Sequence, residues 1–194
     1  MIAGAERVLT LIAADPWRMA ALAVAAAHGP PDGWLAAGFV RDAVWDDLFG
    51  RPPSPPRNDV DIVWFERGAD REHDLAWEGA LATVRPDIVW SVKNQARMHR
   101  YNDDPPYGDV DEALTRWAET ASAVGVRLNA DGRLDLLAPL GLADLLDGVM
   151  RPTPCFSGER LPQYLARVTV KGWLDRWPLR HALPEAAEPG VPRR

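Results

Sequence analysis

Apolar residues recur at helical spacing between Ala5 and Ala14, through Val8, Leu9, Leu11 and Ile12, and predict a first helix. Asp15-Pro16 then reads as an N-cap followed by proline at the first helical position, so a second helix starts there and runs to about His28. Gly29-Pro30-Pro31-Asp32-Gly33 is turn chemistry that ends it. Trp34 to Ala37 is short and wholly apolar, as a central strand is. From Phe39 to Phe49 the period becomes helical again, with Val40, Val44 and Leu48 on one face and Gly50 placed to close the helix. Arg51 to Arg57 contains four prolines and predicts irregular backbone. Asp59 to Phe65 is a second strand.

Farther along, Arg71 to Arg85 is an amphipathic helix packed by Leu75, Trp77, Leu81 and Val84. Asp87 to Val92 is rich in β-branched and aromatic residues and predicts a third strand, which feeds a helix start at Lys93 to Arg100. Asp111 to Ser122 reads as a helix. Val124 to Leu128 and Leu134 to Leu137 form a hairpin around Asn129-Ala130-Asp131-Gly132. A helix is predicted from Pro139-Leu140-Gly141 through Met150, and another amphipathic pattern from Glu159 to Trp177. Ala182 to Arg194 is rich in proline and charge and is expected to be disordered.

Composition narrows the class. The 194 residues suit one domain with a small appendage, and 47% hydrophobic residues are enough for a core. A net charge of −6 argues against a general nucleic-acid binder, so stable DNA binding is not expected. One cysteine, Cys155, excludes a disulfide framework and a cysteine-rich zinc site. The first residues lack a basic leader, and no apolar run approaches the roughly 18–20 residues of a membrane span, so a cytoplasmic location is expected.

The candidate chemistry sits in two places. Side chains alternate along a strand, so Asp59 and Asp61 point the same way while Val60 points into the protein. Paired carboxylates repel, a cation offsets the repulsion, and oxygen ligands of this kind suit Mg²⁺ (or Mn²⁺) shared with substrate phosphates. Upstream, the turn Gly38-Phe39-Val40-Arg41-Asp42 opens a helix, whose free N–H groups and dipole favour a phosphate. A phosphate cradle and a metal-binding pair joined by one helix and a loop point to nucleotide phosphoryl chemistry. Lys93-Asn94-Gln95-Ala96-Arg97 adds cations and amides. If helical, Lys93 and Arg97 share a face and can straddle a triphosphate, the alternative being a solvated basic face. The four histidines show no ligand spacing.

A-G-F-V-R-D followed by D-V-D-I-V resembles the nucleotidyltransferase fold of the DNA polymerase beta superfamily. The resemblance is closest to the head domain of tRNA CCA-adding enzymes and bacterial poly(A) polymerases, whose pattern is G-G-x-V-R-D and then D-x-D. Ala37 stands at the first glycine of that pattern and Gly38 at the second. W-S-V-K-N-Q-A-R-M-H and E-T-A-S-A-V-G-V-R-L resemble a narrower group of small bacterial nucleotidyltransferase-like proteins, over roughly Trp34 to Pro154.

The resemblance implies an α+β fold, a small mixed sheet flanked by helices, over residues 1–155. Within it, 1–32 would be a helical pair covering the sheet, followed by a helical extension at 156–181 and a tail at 182–194. It implies two-metal transfer of a nucleoside monophosphate from an NTP to a hydroxyl acceptor, with Asp59 and Asp61 as catalytic metal ligands. Gly38, Phe39, Arg41, Asp42, Lys93, Asn94 and Arg97 would contact the nucleotide. Arg41 is equally suited to bracing Asp59, and Asp42 to supporting the turn. The superfamily's third carboxylate has its nominee in Asp87. In the narrower group the position before Val92-Lys93 is expected nearest the site, and here it is Ser91, not a carboxylate. The chain has no room for the long helical body with which CCA-adding enzymes hold tRNA, so the acceptor stays open among a small molecule, a protein and an RNA. Two other readings follow: a nucleotide-binding regulatory protein without turnover, and a toxin- or antitoxin-type nucleotidyltransferase.

Overall fold

The computed structural model describes residues 2–184. Two helices, α1 (Ile2–Ala13) and α2 (Pro16–His28), come first. As expected, Asp15 caps α2, its carboxylate accepting from the Arg18 amide at 3.1 Å. The buried Arg18 guanidinium in turn pairs with Asp15 and donates to the Phe39 carbonyl at 2.8 Å, fixing α2 against the next helix. Then come β1 (Trp34–Ala36), α3 (Gly38–Leu48), β2 (Val60–Trp64), α4 (Arg71–Val84) and β3 (Trp90–Asn94). After a 3-10 helix (Gln95–Tyr101), α5 (Val110–Thr115) leads to the hairpin of β4 (Gly125–Leu128) and β5 (Leu134–Leu137). The described chain ends with α6 (Ala143–Leu146), β6 (Val149–Met150), α7 (Leu161–Lys171), α8 (Trp173–Arg176) and β7 (Arg180–His181).

The five strands run in the order β3-β2-β1-β4-β5. Only β2 and β3 are parallel, because α4 carries the chain back across the sheet between them; the other neighbours are antiparallel. The register sets Asp61 beside Ser91 and Val63 beside Lys93. One face of the sheet, through Leu35, Val60, Ile62 and Trp64, packs under the helices in the principal core. The other face carries Ala36 and Val63 against Val110, Leu114 and Ala123 of a smaller cluster. Alternation along β2 puts Asp61 on this second face.

Several boundaries differ from expectation for local reasons. The third strand begins at Trp90, since Arg85 to Val89 form a turn in which Arg85 grips Asp87. The helix expected through Met150 shrinks to α6, because Gly148 takes φ +62 and turns the chain into β6. The expected helix 111–122 stops at Thr115, with a short 3-10 turn at Thr120–Ser122. Gly172, at φ +61, divides the last amphipathic stretch into α7 and α8.

The segment expected as an extension, 156–181, places Tyr164, Val168, Trp173 and Trp177 in the principal core, and β7 pairs with β6. Of the expected tail, residues from 185 onward lie outside the described part of the chain. No single helix among the described residues is long and apolar enough to cross a membrane. The bent pair α1–α2, which together would be, meets at 91° and buries Val8, Ile12, Ala21 and Leu22 in the core.

Asp74 of α4 is fully buried and accepts from Trp64 Nε1 at 2.9 Å, from the Asn94 amide at 3.0 Å and from the Arg97 guanidinium. Truncating it would strand three donors, one of them charged. Asp74→Ala is therefore expected to lower the urea midpoint by the equivalent of about 3–5 kcal/mol. The exposed Asp87→Ala should leave the midpoint where it is.

Candidate active site

The turn between β1 and α3 is built around Ala37. Its amide donates to the Val124 carbonyl at 3.0 Å, and its carbonyl accepts from the Val40 and Arg41 amides at 3.1 and 2.8 Å. This places Ala37 at φ +52, ψ −119, a region that glycine occupies without strain and alanine does not. The next two amides, of Gly38 and Phe39, open α3 and find no acceptor among the described residues. A Cβ on Gly38 would meet Arg41 Nη2 at 3.5 Å and Asp42 Oδ1 at 3.7 Å, which are ordinary contacts. Glycine is thus not forced by sterics or by its own φ; it leaves the space before the helix open. Phe39 does not line the cleft: the residue is 1% exposed and its ring sits in the principal core.

Asp59, exposed just ahead of β2, and Asp61, partly buried within it, line the same cleft, of about 280 Å³. Burial first, and then the Asp59 charge, push the Asp61 carboxyl up to about 6, while Ser91, Lys171 and Arg167 pull it back. The opposite wall comes from the loop before β2 and from α7 and α8, which bring Arg57, Arg167, Lys171 and Arg176 to the cleft. Among the described residues Arg57 and Lys171 make no ion pair, whereas Arg167 is held by Glu119 at 2.6 Å.

Arg41 and Asp42 form the frame of this cleft. Arg41 donates to Ser122 Oγ at 2.7 Å and to Asp42 Oδ1 at 2.8 Å, and its guanidinium lies 4.5 Å from the centre of the Trp173 ring. It braces Asp42, and no contact joins it to Asp59. The second oxygen of Asp42 accepts from Arg176 at 2.9 Å. Burial lowers the Arg176 pKa, and the charges of Asp42 and Asp46 oppose that shift.

The K-N-Q-A-R stretch divides its residues among different tasks. Lys93 lies in β3, bound to Glu78 at 3.2 Å, and lines a second chamber beyond Asp61. Asn94 is buried, donating to the Glu66 and Ala69 carbonyls and accepting from the Glu66 and Ala96 amides. Arg97 is tied to Asp74 and faces away from the acid pair, in a different hollow. The shared helical face expected for Lys93 and Arg97 does not form, because the first is in a strand and the second in a 3-10 helix. Asp87 is exposed, forks onto Arg85 at 2.7 Å through both oxygens and is absent from the cleft. The neighbour of Asp61 on β3 is Ser91. Among the described residues no group of three or more acidic, histidine or cysteine side chains converges as a ready metal cage.

Sequence reading missed Arg167, Lys171, Trp173 and Arg176. A signal was present: Arg167 and Lys171 stand four apart on an amphipathic helix and so share a face. What the sequence did not carry was the anchoring of the segment just beyond that helix to α3, through Trp177 on Trp45 and Arg176 on Asp42.

Paired acids on a mixed sheet, facing a helix N-terminus across a cationic cleft, define a nucleotidyltransferase-type domain. The sequence model of the nucleotidyltransferase family matches residues 23–180, and the chain belongs to that family. It is similar to an NMR structure described as revealing a CCA-adding enzyme head domain, at 32% identity and TM-score 0.81, over 92% of this chain and 96% of that one. The Thermotoga maritima CCA-adding enzyme complexed with tRNA aligns at 17% identity and TM-score 0.55, over 92% of this chain and 42% of its own. A tRNA-processing enzyme with CTP aligns at 19% identity and TM-score 0.50, over 84% and 43%. The likeness to these two larger enzymes is one of fold, and this chain spans less than half their length. Comparison with curated proteins gives no match.

Two predictions follow from the geometry. Ala37→Gly removes a backbone strain of about 1–3 kcal/mol against an unfolded-state cost of about 0.4–1 kcal/mol, so its urea midpoint should rise or hold. In metal-free buffer, folded Asp61 titrates above its unfolded value, so the wild type loses stability as pH rises through about 6. Asp61→Asn lacks that charge. By calorimetry its Tm should exceed the wild type's at about pH 8, and the gap should close towards about pH 4.

Proposed function

We propose that this nucleotidyltransferase moves a nucleoside monophosphate from an NTP to a hydroxyl acceptor in the cleft between Asp61 and α7, with Mg²⁺ (or Mn²⁺) held by Asp59 and Asp61. The observation that carries the reading is the meeting, in one cleft, of two carboxylates, the helix start at Gly38 and, in Arg57 and Lys171, cations without an ion pair among the described residues. The donor set fits the ion: both carboxylates supply oxygen, and burial and then the Asp59 charge raise the Asp61 pKa, both of which a cation would offset. When bound, a divalent ion would polarise phosphate oxygens and ease ionisation of the acceptor hydroxyl. The two-metal form implied by the resemblance would need further oxygens from the nucleotide, since Ser91 stands where a third carboxylate was sought.

The chain's own groups divide the remaining work. The Gly38 amide and the dipole of α3 hold the terminal phosphates. Lys171, Arg57 and Arg167 offset the charge that gathers on the leaving pyrophosphate. Arg41 and Asp42 position the turn, and Lys93 stands on the far side of Asp61. In the transfer the acceptor oxygen bonds to the α-phosphorus while the bond to the bridging oxygen breaks. Pyrophosphate leaves with that electron pair, and the acceptor proton passes to solvent.

The test is Mg²⁺-dependent turnover of each α-labelled NTP in cell extract. Pyrophosphate release with transfer of label is expected, and both should fall below detection in Asp61→Asn. Lys171→Ala, at an exposed position, should weaken NTP binding roughly tenfold, about the worth of one charge-assisted hydrogen bond, with its Tm unchanged. Ser91 beside Asp61 favours one alternative, a nucleotide-binding regulator: Mg²⁺-dependent binding without pyrophosphate would support it and sink transfer.

A further inference from the structure

The cleft continues past Asp61 into a second chamber of about 430 Å³, which shares Ala37, Asp61 and Arg167 with the first. Its chemistry is different. The first chamber offers Arg57 and Lys171 without partners among the described residues, as a polyanion requires. In the second chamber two of the three cations are paired, Lys93 with Glu78 at 3.2 Å and Arg167 with Glu119 at 2.6 Å, while Arg116 donates only to the Cys155 sulfur at 3.6 Å. What remains is apolar and flat. Met98, Trp117, Phe156 and the ring of Tyr107 line it, and Tyr101, 78% exposed, stands at its edge. The Tyr107 hydroxyl is committed, donating to Asp104 at 2.8 Å and accepting from Asn102 at 3.2 Å.

One lining residue carries an unsatisfied buried acceptor. Gln95 is 3% exposed; its Nε2 donates to the Lys93 carbonyl at 3.1 Å, and its Oε1 is buried with no partner. A buried acceptor left alone is costly, so a ligand whose entry brings a donor to it gains by satisfying it. Displacement at phosphorus places attacking and leaving oxygens roughly in line. With pyrophosphate among the cations of the first chamber, the chamber across Asp61 is the one from which an acceptor hydroxyl can approach.

The geometry points to the second chamber as the acceptor subsite, and to a small uncharged acceptor: a planar ring with an N–H or O–H donor for Gln95 Oε1 and a hydroxyl directed at Asp61. This rests on the proposed nucleotidyl transfer and names its acceptor class. A strand of RNA would bring several phosphates to a chamber in which Lys93 and Arg167 are already paired with carboxylates and Arg116 alone is not.

The experiment titrates the full chain with the four free nucleosides, which combine a flat ring, a donor and a hydroxyl. It is done with Mn²⁺ and saturating non-hydrolysable α,β-imido NTP, alongside the 5′-monophosphates as charged counterparts. At least one nucleoside should bind together with the analogue, and its 5′-monophosphate should bind no more tightly. Gln95→Leu should weaken the nucleoside about tenfold, one hydrogen bond's worth, and leave analogue affinity unchanged. That unchanged affinity also reports a folded chain. Tyr101→Ala, at an exposed position, should weaken it several-fold.

Competition between nucleoside and analogue would overturn the assignment and give the chamber to the base of the NTP. So would loss of analogue affinity in a Tyr101→Ala protein with wild-type Tm. Binding of the analogue with no nucleoside bound would show that the chamber takes no such ring. If the analogue itself fails to bind, the transfer reading falls first and the acceptor subsite with it.

Discussion

Arg176 donates to Asp42 at 2.9 Å, lies 3.6 Å from Asp46, and rests its face 3.9 Å from the centre of Trp177. Trp177 in turn donates to Asp46 at 2.9 Å and packs edge-on against Trp45. This buried knot joins α3, whose first turn lines the cleft, to α8, near the end of the described chain. Buried charges are costly alone, and here each has a partner and a flat apolar face. The cleft depends on the knot, because α7 is carried on the same segment and brings Lys171 and Arg167 over the acid pair. Without it the sheet would still present Asp59 and Asp61, but to open water.

The cleft holds its charges apart. Asp61 stands on the sheet and the cations stand on the opposite wall, close enough to lower its pKa yet not bonded to it. Direct ion pairs would be a more stable arrangement and would fill the gap. The frame around the gap is the reverse: Arg41, Asp42, Arg176 and Asp46 are paired to one another and to tryptophan faces. A frame of mutually paired charges around a gap of separated ones suits the binding of an anion together with a cation.

Much of this was legible in the sequence. Strand alternation placed Asp59 and Asp61 together, turn chemistry located the start of α3, and Asp15-Pro16 fixed the cap of α2. The A-G-F-V-R-D and D-V-D strings carried the family. Tertiary partners were not legible. Arg97 looked like a phosphate ligand because its sequence neighbours are polar, yet buried Asp74 claims it from twenty-three residues away. Asp87 looked like a strand carboxylate until the chain turned there and Arg85 took both its oxygens. The place of Lys171 and Arg176 was not legible either, because it depends on where Trp45 and Trp177, more than a hundred residues apart, meet.

Gly172, with its left-handed backbone between α7 and α8, joins the two parts of the cationic wall. Lys171 and Arg167 lie on one side of this bend, and Arg176, paired with Asp42, lies on the other. A β-carbon at this position would meet only Asp175 Oδ2, at 3.7 Å, so what singles out glycine here is the backbone angle and not the space. The direction in which α7 presents its cations is thereby set by the torsion of one residue.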